Sequence, residues 1–268
     1  MSHSKKEKAF EFLQLAERPA KPREEGITEV RDRALSLRQL EDLLEVGADY
    51  IDILKMSGGT QRLLNKDIVK MKIQKCHDHN IMVSTGGLLE RVMLQGKNAV
   101  TNFLDETKSL GYDVVEVSNG VALMSLSDKI RLMKKVASSG FKAKPEVAQA
   151  YGITVDDKVS ISPEKLISEA KKLLEEGAWM VMIESEGITE NVSEWRTDVI
   201  HKIASSIDIR KLMFEGADPE VFEWYVRNFG PNVNLFIDSS QIIPLECMRS
   251  GLWGKRLSWG RAVTYSGN

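Results

Sequence analysis

The sequence predicts an α/β chain folded as a single (β/α)₈ TIM barrel, and three observations carry that expectation. Eight short apolar or β-branched segments recur along the 268 residues. Each is followed by a loop that holds glycine, serine or an acid, and each loop runs into an amphipathic segment that stops near a glycine. Right-handed crossovers between parallel strands close naturally at eight. An open doubly wound sheet fits less well. No Gly-x-Gly-x-x-Gly follows the first strand, and every strand end carries polar residues, whereas an open sheet gathers them at its switch point.

Taken in order, residues 1–26 are polar and read as an N-terminal arm, with a short helix expected over Ala9–Ala16 and an extended lead-in set by Pro19 and Pro22. Residues 27–268 form the barrel with a C-terminal extension. Its strands are expected at Ile27–Arg31, Tyr50–Lys55, Ile81–Thr85, Asp113–Val117, Lys142–Glu146, Trp179–Ile183, Lys211–Glu215 and Val233–Ile237. The helical pattern is plainest at Ala99–Leu110, where Val100, Phe103, Leu104, Thr107 and Leu110 share one face and Gly111 stands in the stop position. Ser162-Pro163-Glu164 is a start signal with proline just inside the helix, and Gly177 ends that helix. Gly140 and Gly230 punctuate two others.

Composition narrows the function. Lys+Arg 37 against Asp+Glu 39 gives a net charge of -2, which predicts no general attraction to nucleic acid or to an anionic membrane. The apolar runs are far short of a membrane span, and Met-Ser-His-Ser-Lys-Lys-Glu has no signal-like apolar core. Cys76 and Cys247 lie in helical patterns without metal or redox spacing, so a reduced, cytoplasmic location is expected.

The organising stretch is Trp179-Met180-Val181-Met182-Ile183-Glu184-Ser185-Glu186-Gly187, an apolar run that ends in two carboxylates. If strand geometry persists, Glu184 and Glu186 face one centre. The other strand ends supply Arg31; Lys55 with Ser57-Gly58-Gly59-Thr60; Ser84-Thr85-Gly86-Gly87; Glu116 with Ser118-Asn119-Gly120; Lys144 and Glu146; Glu215 with Asp218; and Asn234 with Asp238 and Gln241. This is a ring of acids with two or three cations and no histidine, since His77, His79 and His201 fall in helices and His3 in the arm. Carboxylates without histidine or thiolate suit a hard cation such as Mg²⁺ rather than zinc. The Gly-Gly pairs at 58–59 and 86–87 let backbone N–H groups approach an anion, although each also serves as an ordinary tight turn. Lys55 and Lys144 call for anionic partners, and Lys144 has a structural alternative in a pair with Glu116 or Glu146. The residues alone point to a Mg²⁺-dependent enzyme acting on a small phosphorylated carboxylate.

At these same positions the chain resembles the phosphosulfolactate synthase family, over about residues 24–260. The likeness rests on Ile53-Leu54-Lys55 with Gly58-Gly59-Thr60, Ser84-Thr85-Gly86-Gly87, Glu116-Val117-Ser118-Asn119-Gly120, Lys144-Pro145-Glu146-Val147, Met182 to Gly187, Phe214-Glu215 and Gly230 to Leu235. Within the family, Glu184 to Trp195 and Asp238-Ser239-Ser240-Gln241-Ile242 resemble the branch of the plant heat-stress-associated protein. The resemblance implies a (β/α)₈ lyase that adds sulfite to phosphoenolpyruvate with Mg²⁺. It implies Lys144 as proton donor, catalytic with Glu184. Glu116, Glu146, Glu184, Glu186 and Glu215 become candidates for the metal, and Arg31, Lys55, Ser57, Gly58, Gly59, Ser84, Gly86, Ser118 and Asn119 for the substrate. Val147-Ala148-Gln149-Ala150-Tyr151, Ser185 and Asp238-Ser239-Ser240 depart from the synthases and bear on substrate identity. The heat-stress branch implies another role, through stress-related protein partners, for which Trp253 to Trp259 is the candidate surface; those tryptophans also suit a cap on the barrel's own helices. A homo-oligomer is expected from the Phe222-Trp224-Tyr225 cluster.

Overall fold

The computed structural model describes residues 8–120, 124–147, 162–216 and 218–252. Eight parallel strands form a closed barrel in sequence order: β1 (Thr28–Asp32), β2 (Ile53–Met56), β3 (Met82–Ser84), β4 (Val114–Val117), β5 (Lys142–Val147), β6 (Val181–Ile183), β7 (Leu212–Glu215) and β8 (Leu235–Asp238). Closure is made by β1 against β8, with Thr28 opposite Leu235 and Arg31 opposite Asp238, which excludes the open sheet. Around it run α1 (Leu37–Gly47), α2 (Lys66–His77), α3 (Leu88–Met93), α4 (Ala99–Leu110), α5 (Leu126–Ser138), α6 (Pro163–Glu175), α7 (Thr197–Ser206), α8 (Pro219–Phe229) and α9 (Ile242–Arg249).

Local chemistry explains the helix boundaries. Ser36 and Gln39 cap α1 reciprocally: the Gln39 N–H donates to Ser36 Oγ at 3.2 Å, and the Ser36 N–H donates to Gln39 Oε1 at 2.8 Å. Ser162 caps α6 ahead of Pro163, and the left-handed Gly111 closes α4, both as the sequence predicts. The short helix expected at Ala9–Ala16 is instead a turn. Phe10 has φ 56°, which breaks a right-handed helix, and the Leu13 N–H reaches back to Phe10 O at 2.9 Å.

Strand alternation divides the core in two. One set of side chains, among them Val30, Leu54, Val83, Val115, Phe214 and Ile237, packs outward against the helices. The other fills the barrel with Ile27, Ile53, Met180, Met182, Met213 and Phe236. Above this floor the inward positions turn polar, and the register sets Arg31 beside Lys55 and Glu116 beside Lys144. Phe222 and Tyr225 are buried in the barrel wall, Tyr225 stacked on Phe214 at 4.9 Å, and Trp224 packs edge-on to His201 at 5.2 Å. Two of the three aromatics behind the oligomer expectation are thus buried within the chain, and Trp224 is half-buried. Trp253 to Trp259 lie outside the described residues. Among the described residues, no helix is long and apolar enough to cross a membrane.

Helix α2 carries a charge into the structure. Lys72 is fully buried, bonded to Asp32 and 2.9 Å from Leu35 O. Removing one partner of a buried pair leaves the other charged and desolvated, so Lys72→Met should lower the unfolding free energy by about 3–5 kcal/mol. Urea denaturation followed by circular dichroism measures this. A loss below about 1 kcal/mol would show that the pair does not hold the β1 end.

Candidate active site

The C-terminal ends of the strands enclose a cavity of about 610 Å³. On one side, the neighbouring strands β1 and β2 present Arg31, Arg33, Lys55, Ser57, Gly58 and Thr60; on the other, β5, β6 and β7 present Glu146, Glu184 and Glu215. The mouth therefore sets cations on one side against a group of carboxyls on the other.

The loop after β2 is a tight double turn. Gly58 and Gly59 take φ 65° and 69°, a pair of left-handed residues that only glycine adopts without cost. Thr60 Oγ1 donates to Ser57 O at 3.0 Å, and Gln61 Nε2 donates to Thr85 O at 2.8 Å, tying this loop to the end of β3. There, Gly86 has φ 56°, and a Cβ would lie 2.6 Å from Met56 O. Gly86 is therefore a close-approach glycine between two loops. Gly59 and Ser84 likewise stand off the cavity wall, Ser84 Oγ accepting from the Gly86 N–H at 3.3 Å. Asn119 also turns away, its Oδ1 accepting from Lys129 at 2.7 Å. Of the expected substrate residues, Arg31, Lys55, Ser57, Gly58 and Ser118 line the cavity. The hydroxyl of Ser118 is buried and has no hydrogen-bond partner among the described residues.

Among the expected metal residues, Glu116, Glu146, Glu184 and Glu215 line the cavity and Glu186 does not. Strand β6 ends at Ile183, and the N–H groups of Ile188, Thr189 and Glu190 all converge on Ser185 O. That turn destroys the period-2 geometry on which the Glu184/Glu186 pairing depended. Glu186 instead accepts from Asn191 Nδ2 at 2.8 Å, and Glu190 takes the place on the wall. Glu116 serves the cations: Lys55 Nζ lies 2.7 Å and Lys144 Nζ 3.4 Å from its Oε2.

Lys144 is fully buried and off the cavity wall, bonded to the equally buried Glu29 of β1. Glu29 escaped the sequence reading because it stands in mid-strand, where a polar residue gives no end-of-strand signal; the period-2 run Ile27, Glu29, Arg31 is what could have exposed it. Lys129 of α5 escaped too. It is buried and donates to Glu146 O, to Asn119 and, at 2.9 Å, to Glu169, so one ammonium fastens the ends of β4 and β5. Arg33, Thr60, Gly87, Glu90, Gly120, Glu190 and Phe236 complete the lining. Phe236 lies under both cations, 4.7 Å from the Arg31 guanidinium and 4.3 Å from Lys55 Nζ.

Electrostatics sort the carboxyls by their neighbours. Burial pushes Glu116 up, but Lys55 and Lys144 outweigh it, and the group ends below its ordinary value. Lys55 also loses solvation on burial, yet Glu116, Glu29, Glu146 and Glu215 together hold it above the usual lysine range. Glu146 is pushed to about 7 by burial and by the Glu116 charge. Glu184 stands well above the carboxylate range, from burial and from Glu146 and Glu215, to both of which it is hydrogen-bonded. Burial opposes ionisation of Glu215 also, but the bond from Glu184 and the charges of Lys55 and Arg31 bring it below its ordinary value. Two of the three carboxyls in contact, Glu146 and Glu184, thus hold protons that carboxylates in water would lose, while Glu215 stays ionised.

The oxygen-only donor set of Glu146, Glu184 and Glu215 suits Mg²⁺. Among the described residues, no three His, Cys, Asp or Glu side chains are arranged around one point as they stand. With its proton in place, Glu184 spends its oxygens on its two neighbours.

A closed parallel barrel with a charged cavity at the strand ends defines a (β/α)₈-barrel protein of the kind that places its chemistry at that face. The fold agrees with solved structures such as 3-hexulose-6-phosphate synthase from Salmonella typhimurium, with TM-score 0.54 and 11% identity over 83% of this chain and 99% of that one. The family model for (2R)-phospho-3-sulfolactate synthase (ComA) matches residues 16–255. The chain belongs to that phosphosulfolactate synthase family. It is 33% identical to the protein HEAT-STRESS-ASSOCIATED 32 of Arabidopsis thaliana, over 91% of this chain and 92% of that protein. It is also 33% identical to the phosphosulfolactate synthase of Methanocaldococcus jannaschii, over 92% of this chain and 97% of that one.

The Glu146 shift has a measurable consequence. Its native pKa of about 7 lies above the ordinary 4.5, so between those values the native state keeps a proton that the unfolded chain has released. Stability of the metal-free protein should therefore fall as pH rises from 5 toward 7. Thermal unfolding midpoints across this window check it, and Glu146→Gln should flatten the slope. An equal slope in the variant would reject the assignment.

Proposed function

We propose that this chain is a phosphosulfolactate synthase-like lyase that adds sulfite to phosphoenolpyruvate with Mg²⁺, or performs a related addition on a small phosphorylated carboxylate. The observation that carries the reading is the division of the cavity, with cations and an open glycine turn facing three carboxyls in hydrogen-bond contact through Glu184. Membership of the family and the similarity to synthases across nearly the whole chain support it.

In this reaction the sulfite lone pair forms the S–C3 bond, the C2=C3 electron pair moves onto the substrate carboxylate, and C2 then takes a proton. Arg31, Lys55, Ser57 and Gly58 bind the anionic groups, and Phe236 fixes the two cations from below. Glu146, Glu184 and Glu215 would hold Mg²⁺, which when bound supplies polarisation of the carboxylate that collects the negative charge. Glu116 is engaged by the lysines and Glu186 is off the wall, so neither is assigned to the ion. Lys55 is the ammonium on the cavity wall that would offset the developing charge. Lys144 stands behind it, paired with Glu29 and within reach of the same Glu116 oxygen, and helps hold that carboxyl below its ordinary value rather than meeting substrate.

A second reading, a stress-related role through protein partners, is favoured by the match to the heat-stress-associated protein at the same identity as to a synthase. Glu184→Gln separates the two, because it removes a central carboxylate while keeping its size. Sulfonate formation from phosphoenolpyruvate, sulfite and Mg²⁺, followed by mass spectrometry, should fall by about 10²–10⁴-fold in this variant, and a chelator should abolish it in the parent. Restoration of stress tolerance in a deletion strain by Glu184→Gln would favour the partner role instead. No sulfonate from the parent protein would refute this substrate pair.

A further inference from the structure

The turn between β1 and α1 is built more tightly than a connection requires. Ala34 has φ 66°, a left-handed conformation that a residue with a Cβ avoids. It is held there by the buried pair beneath it. Asp32 Oδ1 accepts from the Leu35 N–H at 2.7 Å, and Lys72, bonded to Asp32, donates to Leu35 O at 2.9 Å. Both backbone groups of the residue after the strained one are captured by side chains that are 1% and 0% exposed. Strain that surrounding structure imposes this firmly marks a position whose direction matters. The residue it directs is Arg33, which lines the cavity while its side chain remains 67% exposed.

Among the described residues, Arg33 has one loose partner. Its Nη2 lies 3.4 Å from Asp238 Oδ2, and Arg31 Nη1 lies 3.5 Å from the other oxygen of the same carboxylate. Both distances exceed those of a good charge-assisted hydrogen bond, and Asp238 is 30% exposed, so water competes for it. Arg31 is also held by Glu215, whereas Arg33 has no second carboxylate partner among the described residues. Arg33, left with a long contact to a carboxylate that Arg31 also approaches, is under-neutralised beside the open turn of Ser57 and Gly58, and a dianion offers both guanidiniums more charge than Asp238 does.

We propose that Arg33 joins Arg31 as the grip for the substrate's phosphate, and that Asp238 is a built-in counter-anion with which the phosphate competes for both guanidiniums. This rests on the reading of the cavity as a site for a phosphorylated substrate. Phosphate offers each arginine more oxygens and more charge than Asp238 does, so the arginines transfer to it on binding. The strained turn keeps Arg33 over the mouth before the ligand arrives.

Titration calorimetry of the full chain with inorganic phosphate at low salt tests this without requiring turnover. Arg33→Met should weaken phosphate by about tenfold or more, the loss of one charged hydrogen-bonding partner. Asp238→Asn should tighten it severalfold, a change of sign that a purely structural role for Asp238 would not produce. Arg38→Met, an exposed change on α1, should leave binding unaltered. Equal affinity in the parent and Arg33→Met, or weaker binding by a folded Asp238→Asn, overturns the inference and leaves the functional reading in place. No phosphate binding by the parent removes both.

Discussion

The structure is governed by an imbalance of buried charge at one end of the barrel. Arg31, Lys55 and Lys144 face Glu29, Glu116, Glu146, Glu184 and Glu215, all of them buried or nearly so. Taking a charge out of water costs several kcal/mol unless it is paired. The cations are neutralised: Lys144 by Glu29 and Glu116, Lys55 by Glu116, and Arg31 by Glu215. What remains is a surplus of carboxyls on β5 and β6, which stays neutral only by holding protons. A fold selected for stability alone would replace such a group with apolar side chains of similar volume. Its retention here is the physical ground for reading the cavity as a working site.

The barrel makes the arrangement possible because parallel strands end together on one face. Below the charges lies a floor of methionine, isoleucine and phenylalanine, which excludes water and sharpens every interaction above it. Lys129 and Lys72 extend the same logic outward from the helices, each spending a buried ammonium on a backbone carbonyl and a carboxylate: Glu146 O and Glu169 for Lys129, Leu35 O and Asp32 for Lys72. The loops that carry the chemistry are therefore fixed by ion pairs as well as by hydrophobic packing.

Much of this was legible in the sequence. The strands differ from the expected spans by a few residues at most, because buried parallel strands are written as short apolar runs between loops. The acids and cations at strand ends could be named for the same reason. Three features were not legible. Glu29 sits in mid-strand, and its meaning depends on Lys144, more than a hundred residues away. Glu186 was misplaced because a strand pattern says nothing of where the chain will turn, and Ser185 O gathers the next residues into a turn. Lys72 and Lys129 read as ordinary polar positions of amphipathic helices, and only packing shows them buried. The departures at 148–151 lie outside the described residues.

The account's central claim is that the carboxyls on β5, β6 and β7 and the cations on β1 and β2 are two halves of one binding site. A crystal soaked with Mn²⁺, as an anomalous stand-in for Mg²⁺, and with phosphate tests it most directly. The expected result is an anomalous peak among Glu146, Glu184 and Glu215, with phosphate density beside Arg31, Lys55, Ser57 and Gly58. Phosphate beside Gly216 and Ser239, or no anomalous peak among the three glutamates, would contradict it.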